Sequence, residues 1–131
     1  MIMKGVIMAQ LFFKYSTMNA GKSIELIKVA HNYEERGKRV LCFTPKVDNR
    51  YGEGVITSRV GLQRNAIGIG DDTNILNIFM RENSKHSVDC ILVDEGQFLK
   101  KHHVLELVEI SLFFFCKLPF YSTYPIYFAI I

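Results

Sequence analysis

Cysteine is scarce and scattered. The chain holds three, Cys42, Cys90 and Cys116, far apart and with no CxxC pair among them. That pattern excludes a disulfide framework and a four-cysteine zinc site. Two of the three sit in apolar strand-like runs, so buried, reduced thiols of a cytosolic protein are expected. The four histidines, His31, His86, His102 and His103, lack metal-ligand spacing. The adjacent pair points to different sides of a helix, which predicts surface histidines. No excess of one charge sign exists either. A net charge of +3 is too small to argue for nucleic acid or an anionic membrane surface. Residues 1–8 carry three methionines and one lysine. They have neither the long apolar core nor the small-residue cleavage site of a signal peptide. Met1 and Met8 both remain open as the start. In the second case residues 1–7 are an over-extended reading frame.

What is present suffices for one domain. A chain of 131 residues, 49% hydrophobic and 22% charged, has the composition of a globular protein with a single core. Its organising stretch is Ser16-Thr17-Met18-Asn19-Ala20-Gly21-Lys22-Ser23. An apolar run over residues 9–15 precedes it, and a helical pattern begins at Ile24. Strand, loop and helix in that order form a phosphate-binding loop, where backbone N–H groups and a helix N-terminus face one anion. Gly21 allows close approach of the backbone, Lys22 supplies a mobile cation and Ser23 offers a hydroxyl to Mg²⁺. The general pattern opens on glycine, and here that position is Ser16. The plainer alternative is a Gly-Lys-Ser turn that only caps a helix.

Residues 9–15 read as a first strand, rich in aromatic side chains. Over residues 23–36, Ile24, Ile27 and Ala30, with Leu26 and Tyr33, recur at spacings of three and four and mark one apolar helix face. Gly37 caps that helix. Residues 39–44 read as a second strand, ended by Pro45. Strand–helix–strand predicts parallel strands with ligands bound beyond their carboxyl ends. Residues 46–70 contain five glycines and read as loop with one short strand near 56–60. Within that loop Asp48, Arg50 and Arg59 stand out for charge beside turn residues, although an ordinary surface loop has the same look. Asp71, Asp72 and Thr73 offer helix N-caps for a helix ending near Asn83.

The strongest strand signal is residues 88–94, an apolar run leading into Asp94-Glu95-Gly96-Gln97. An aspartate closing a buried parallel strand downstream of a phosphate loop is the Walker B arrangement, which holds Mg²⁺ near the loop hydroxyl. Taken alone it is equally a solubilising strand-end carboxylate. Residues 99–110 read as a further helix. Residues 111–131 carry one charge, Lys117, with Phe113-Phe114-Phe115, Pro119 and Pro125. The segment is long enough to span a membrane, but its prolines and polar side chains make a poor helix, and no period is legible. It reads as a frame-shifted or otherwise aberrant ending, with a tail anchor as the weaker alternative.

Residues 8–110 closely resemble thymidine kinase of the cytosolic type, in its bacterial branch. Four blocks carry the likeness in order: residues 16–23; Asn32-Tyr33-Glu34-Glu35-Arg36-Gly37; Asp48-Asn49-Arg50-Tyr51-Gly52 leading to Ser58-Arg59-Val60-Gly61-Leu62; and Val93-Asp94-Glu95-Gly96-Gln97-Phe98. The resemblance accounts for Ser16, since that branch often has serine there. It implies an α/β fold of P-loop (RecA-like) type, a parallel sheet with flanking helices. It also implies transfer of the ATP γ-phosphoryl group to the 5′-hydroxyl of thymidine in the cytoplasm. ATP would bind at Ser16, Thr17, Met18, Asn19, Ala20, Gly21, Lys22 and Ser23, and at Asp94, Glu95, Gly96 and Gln97. Ser23 and Asp94 would position Mg²⁺. Glu95 matches the general base, Met18 and Phe98 match apolar positions of the thymine pocket, and Asp48 and Arg50 match residues near the phosphates. The family is typically tetrameric and continues past the position matching Ile110 into further strands, a zinc domain and a lasso over the base. Its zinc site has no counterpart here. The expectation is therefore a retained phosphate half of the site and little turnover, with a nonfunctional fragment or residual ATP-binding module as the alternative. No nucleic-acid or membrane partner is expected.

Overall fold

A computed structural model describes residues 9–13, 22–46, 54–58, 61–117 and 126–130, with side chains for 23–46, 54–58 and 61–112. In chain order the elements are β1 (Ala9–Phe13), α1 (Lys22–Glu35), β2 (Val40–Pro45), β3 (Val55–Thr57), β4 (Gln63–Asn65), β5 (Ile67–Ile69), α2 (Ile75–Lys85), β6 (Cys90–Val93), α3 (Lys101–Lys117) and β7 (Ile126–Ile130). A 3₁₀ turn, Gly96–Phe98, lies between β6 and α3.

Five strands form one sheet in the order β1-β7-β6-β2-β5, and every pairing in it is parallel. The expected β1–α1–β2 unit is present, but its strands are not neighbours, because β7 and β6 lie between them. All carboxyl ends therefore share one edge, where ligands of such sheets bind.

The two faces of the sheet are separated by the two-residue period of a strand. Leu41 and Phe43 of β2 and Ile91 and Val93 of β6 point to one side. There they pack with Ile75 and Phe79 of α2 and Leu107 and Ile110 of α3. Cys42, Cys90 and Leu92 point to the other side, against Leu26 and Ala30 of α1 and Ile56 of β3. Fully burying a side chain such as Phe43 is worth about 1.5–3 kcal/mol. Both faces of β6 are covered, which explains why its sequence is continuously apolar rather than alternating. Cys42 and Cys90 are buried and free, and burial pushes both thiols above their usual range.

Helix α1 ends at Gly37, whose φ is +74°. Gly37 N–H donates to Glu34 O and Lys38 N–H to Tyr33 O, both at 3.0 Å, the paired bonds of a Schellman cap. Helix α2 is capped by Asn74, which accepts from Asn77 N–H at 2.9 Å, and not by Asp71, Asp72 or Thr73. Thr73 instead accepts from Gly70 N–H at 2.8 Å and closes the preceding turn.

Three strands stand where the sequence suggests mostly loop. β3 and β4 form a separate antiparallel hairpin, and β5 joins the sheet beside β2. Strands of three residues are too short to display a period, and Gln63-Arg64-Asn65 has no apolar residue to mark it. Helix α3 also continues beyond Ile110 to Lys117, and β7 follows. In that apolar stretch neither element leaves a polar face from which a period could be read.

Candidate active site

The site begins with β6. Its four residues are all buried, and the chain emerges at Asp94, which is 6% exposed and whose N–H donates to Phe43 O at 2.9 Å. That bond fixes Asp94 to the carboxyl end of β2. Helix α1 starts nearby, and its second residue, Ser23, donates its hydroxyl to Asp94 Oδ1 at 3.2 Å. A helix-start hydroxyl and a strand-end carboxylate thus meet at the edge where the sheet opens.

Glu95 follows in the left-handed region, with φ 54° and ψ 48°. Among the described residues it is the one non-glycine with positive φ. For an L-residue this costs roughly 1–2 kcal/mol, and outliers of this sort concentrate at functional sites. The turn is closed by Phe98 N–H donating to Glu95 O and Leu99 N–H to Gly96 O, both at 3.1 Å. Gln97 Nε2 donates to Glu95 Oε2. Phe98 is half exposed.

The structure therefore brings together Ser23, Asp94, Glu95, Gly96 and Gln97, with Phe98 at the end of the same turn. Lys22 opens α1. Ser16, Thr17, Met18, Asn19, Ala20, Gly21, Asp48 and Arg50 lie outside the described residues.

A serine hydroxyl and one carboxylate are hard oxygen donors. They suit Mg²⁺, which is held by one or two protein oxygens together with waters and phosphates. Among the described residues no group of three or more His, Cys, Asp or Glu could form an all-protein cage.

Sequence reasoning missed the clamp behind this edge. Arg64 of β4 donates to both carboxylate oxygens of Glu34 on α1, at 2.7 and 2.9 Å, and through Nε to Cys42 Sγ at 3.1 Å. Its guanidinium holds the Glu34 carboxyl below the usual carboxylate range. The clamp pins the β3–β4 hairpin across α1 and β2. Its partners lie 30 and 22 positions from Arg64, so no local spacing announces it. His103 was missed as well. It is 1% exposed rather than on the surface, and its Nδ1 accepts from Lys100 N–H at 2.9 Å.

Comparison with known proteins settles the family. A family model described as thymidine kinase matches residues 9–111. The chain belongs to the thymidine kinase family. It is 56% identical over 103 residues to a thymidine kinase of Lactiplantibacillus plantarum, covering 79% of this chain and 53% of that protein. Thymidine kinases of Streptococcus gordonii and Listeria monocytogenes are each 53% identical over 103 residues, again covering 79% of this chain and 53% of the relative. The chain thus spans about half the length of the curated relatives it matches. Every element from β1 to β6, the 3₁₀ turn and the first part of α3 lie within the family match. No helix among the described residues is long and apolar enough to cross a membrane.

Proposed function

We propose that the protein phosphorylates thymidine, transferring the γ-phosphoryl group of ATP to the 5′-hydroxyl to give thymidine monophosphate. The observation that carries this reading is the contact of Ser23 with Asp94 at the carboxyl edge of a parallel sheet, with Glu95 next in the chain. Family membership and the Ser16–Ser23 motif supply the rest.

In this reading residues 16–21 and the N-terminus of α1 cradle the donor phosphates. Lys22 offsets charge on the transferred group. Ser23 and Asp94 would hold Mg²⁺, which would supply charge neutralisation at the phosphate oxygens. Glu95 accepts the proton of the attacking hydroxyl. Its left-handed backbone turns the chain out of the sheet immediately after Asp94, so metal ligand and base are consecutive without competing for one position. Gln97, donating to Glu95 Oε2, steadies that carboxylate. Met18 and Phe98 contribute apolar contact to the base, and Asp48 and Arg50 lie near the phosphates. Thymidine and ATP are the two small-molecule partners.

Two measurements test the reading. Lys22→Ala should abolish Mg²⁺·ATP binding in calorimetry, and unchanged affinity would sink the phosphate-loop assignment. Glu95→Gln keeps size and hydrogen bonding but removes the proton acceptor. In a form that spans the full length of the relatives, thymidine-dependent turnover should fall by roughly 10²–10⁴-fold with ATP affinity nearly unchanged. ATP binding with no thymidine-dependent turnover in the parent protein would reduce the assignment to a nucleotide-binding module.

A further inference from the structure

Past the carboxyl ends of β5 and β6, two adjacent histidines at the start of α3 sit in opposite hydrogen-bonding environments. His102 Nδ1 lies 2.6 Å from Glu106 Oε2, and its Nε2 lies 2.7 Å from Asp71 O. An ionised carboxylate and a carbonyl oxygen are both acceptors. A neutral imidazole has one N–H and would set a lone pair against one of these oxygens. Only the imidazolium, with two N–H groups, donates to both. His103 is constrained the other way. Its Nδ1 must be unprotonated to accept from Lys100 N–H, and its ring is buried. The two ring centroids are 3.9 Å apart, so a second positive charge there would face the first.

Glu106 uses its other oxygen, Oε1, to accept from Ile75 N–H at 2.6 Å, the first residue of α2. One carboxylate on α3 therefore holds the N-terminus of α2, while His102 reaches the carbonyl of Asp71 four residues earlier. The His103 bond to Lys100 N–H is local to the start of α3. His103 occupies the third helical position and reaches back to the backbone N–H before the helix, as Glu or Gln does in a capping box. Helix α3 begins at Lys101, shortly after the 3₁₀ turn ends at Phe98, so the Glu106 and His102 bonds hold the segment that follows that turn to the loop between β5 and α2.

We propose that protonated His102 is the pin of a clasp between α3 and the β5–α2 loop, and that losing its proton releases one side of the clasp. The charged groups facing it are Glu106 on α3 and Asp71 and Asp72 on the loop. Lys100 lies near them, its Nζ 3.9 Å from Asp71 Oδ1. The neutral ring of His103 completes the set. The Glu106 hydrogen bond, followed by that of the Asp71 carbonyl, holds the His102 imidazolium above its ordinary 6.5. A raised value means that the clasp contributes fully below pH 6.5 and is lost as pH rises through the folded-state midpoint. His103 is shifted down, first by burial and then by His102. It opposes the clasp from the acid side, where charging it would break the Lys100 bond. The clasp does not depend on the kinase reading.

Histidine side-chain NMR of this chain tests the proposal without ATP or thymidine. His102 should carry protons on both nitrogens at pH 6.5 and titrate above that value, while His103 remains a single Nε2–H tautomer. Glu106→Gln should lower the His102 midpoint by about one unit, the lower end of the effect of a neighbouring opposite charge. Amide exchange protection of Ile75 should step down across the His102 midpoint while that of Lys100 holds, and the step should be missing in His102→Gln. A neutral His102 at pH 6.5, or a midpoint unmoved by Glu106→Gln, overturns the clasp. So does an identical protection profile in His102→Gln. If Glu106→Gln fails to fold, the parent titration and His102→Gln decide by themselves.

Discussion

The hydroxyl of Ser23 donates to Oδ1 of Asp94 across 3.2 Å, joining residues 71 positions apart. The contact exists because α1 starts where β6 ends, and because Asp94 N–H is tied to Phe43 O. If the two groups hold one Mg²⁺ as proposed, they should not act independently. Ser23→Ala and Asp94→Asn should each weaken Mg²⁺·ATP binding, and the double variant should lose less than the sum. The expected coupling is about 0.5–3 kcal/mol. Calorimetry at saturating Mg²⁺ measures the cycle. Strictly additive losses would show that the two residues do not act on the same ion.

The second prediction concerns Glu95, held at φ 54°. Glycine adopts this conformation without steric cost but gives up more freedom on folding. Relief of roughly 1–2 kcal/mol of backbone strain, less that entropy, leaves Glu95→Gly more stable by up to about 1 kcal/mol. The same change removes the proposed base, so thymidine phosphorylation should collapse. Urea unfolding alongside turnover gives both readouts. A Glu95→Gly variant less stable than its parent would show that the side chain's bond with Gln97 outweighs the strain.

How much of this was legible beforehand follows from the range of each signal. The turn from buried strand into Asp94-Glu95 was readable because an apolar run followed by two carboxylates is a local pattern. Helix α1 was readable from the spacing of Leu26, Ala30 and Tyr33 and from Gly37 beyond them. The Asp94–Ser23 pairing needed the motif, since nothing near either residue refers to the other. The Arg64 clamp and the burial of His103 were illegible. Both depend on partners brought in by tertiary contact, and adjacent histidines on an amphipathic helix look alike on paper. The N-cap of α2 was misplaced by a single residue, because Asp71, Asp72, Thr73 and Asn74 are all good caps and only the backbone decides among them. Strand β7 was hidden because Ile126-Tyr127-Phe128-Ala129-Ile130 is apolar throughout and shows no alternation.

Arg64 carries the third prediction. Its planar fork meets both oxygens of Glu34 and its Nε meets Cys42 Sγ, a geometry that lysine cannot reproduce. Arg64→Lys should therefore behave more like Arg64→Met than like the parent. Each should cost about 1–2 kcal/mol, a charged hydrogen bond discounted for the exposure of Glu34. The Arg64 hydrogen bond lowers the Glu34 carboxyl below its ordinary 4.5. Its contribution is accordingly present above pH 4.5 and lost as pH falls through the lowered folded-state value. Unfolding curves at pH 7 and in that acid window should diverge for the parent and converge for Arg64→Met. A gap between the two proteins that persisted unchanged into strong acid would assign the stabilisation to packing of the arginine stem.

The last prediction compares two glycines at the two ends of the hairpin region, both in the left-handed region. Gly54, before β3, has φ +75°, and a Cβ there would lie 2.8 Å from the carbonyl oxygen of Ala66. That atom is backbone, and the pair is further tied by Ala66 N–H donating to Gly54 O at 2.7 Å, so neither side can retreat without breaking the bond. Gly61, in the connection before β4, has φ +89° with nothing within 4 Å of its Cβ position. Gly61→Ala should therefore cost only the conformational term of about 1 kcal/mol. Gly54→Ala pays the same term and a backbone clash, for a total of about 2–3 kcal/mol. The extra loss should appear as local opening. Amide exchange protection should fall at Ala66 in Gly54→Ala and stay near the parent value in Gly61→Ala, while the core amides of β6 remain protected in both. Equal destabilisation of the two variants would mean that the Gly54–Ala66 contact relaxes freely, and that the hairpin is held by Arg64 alone.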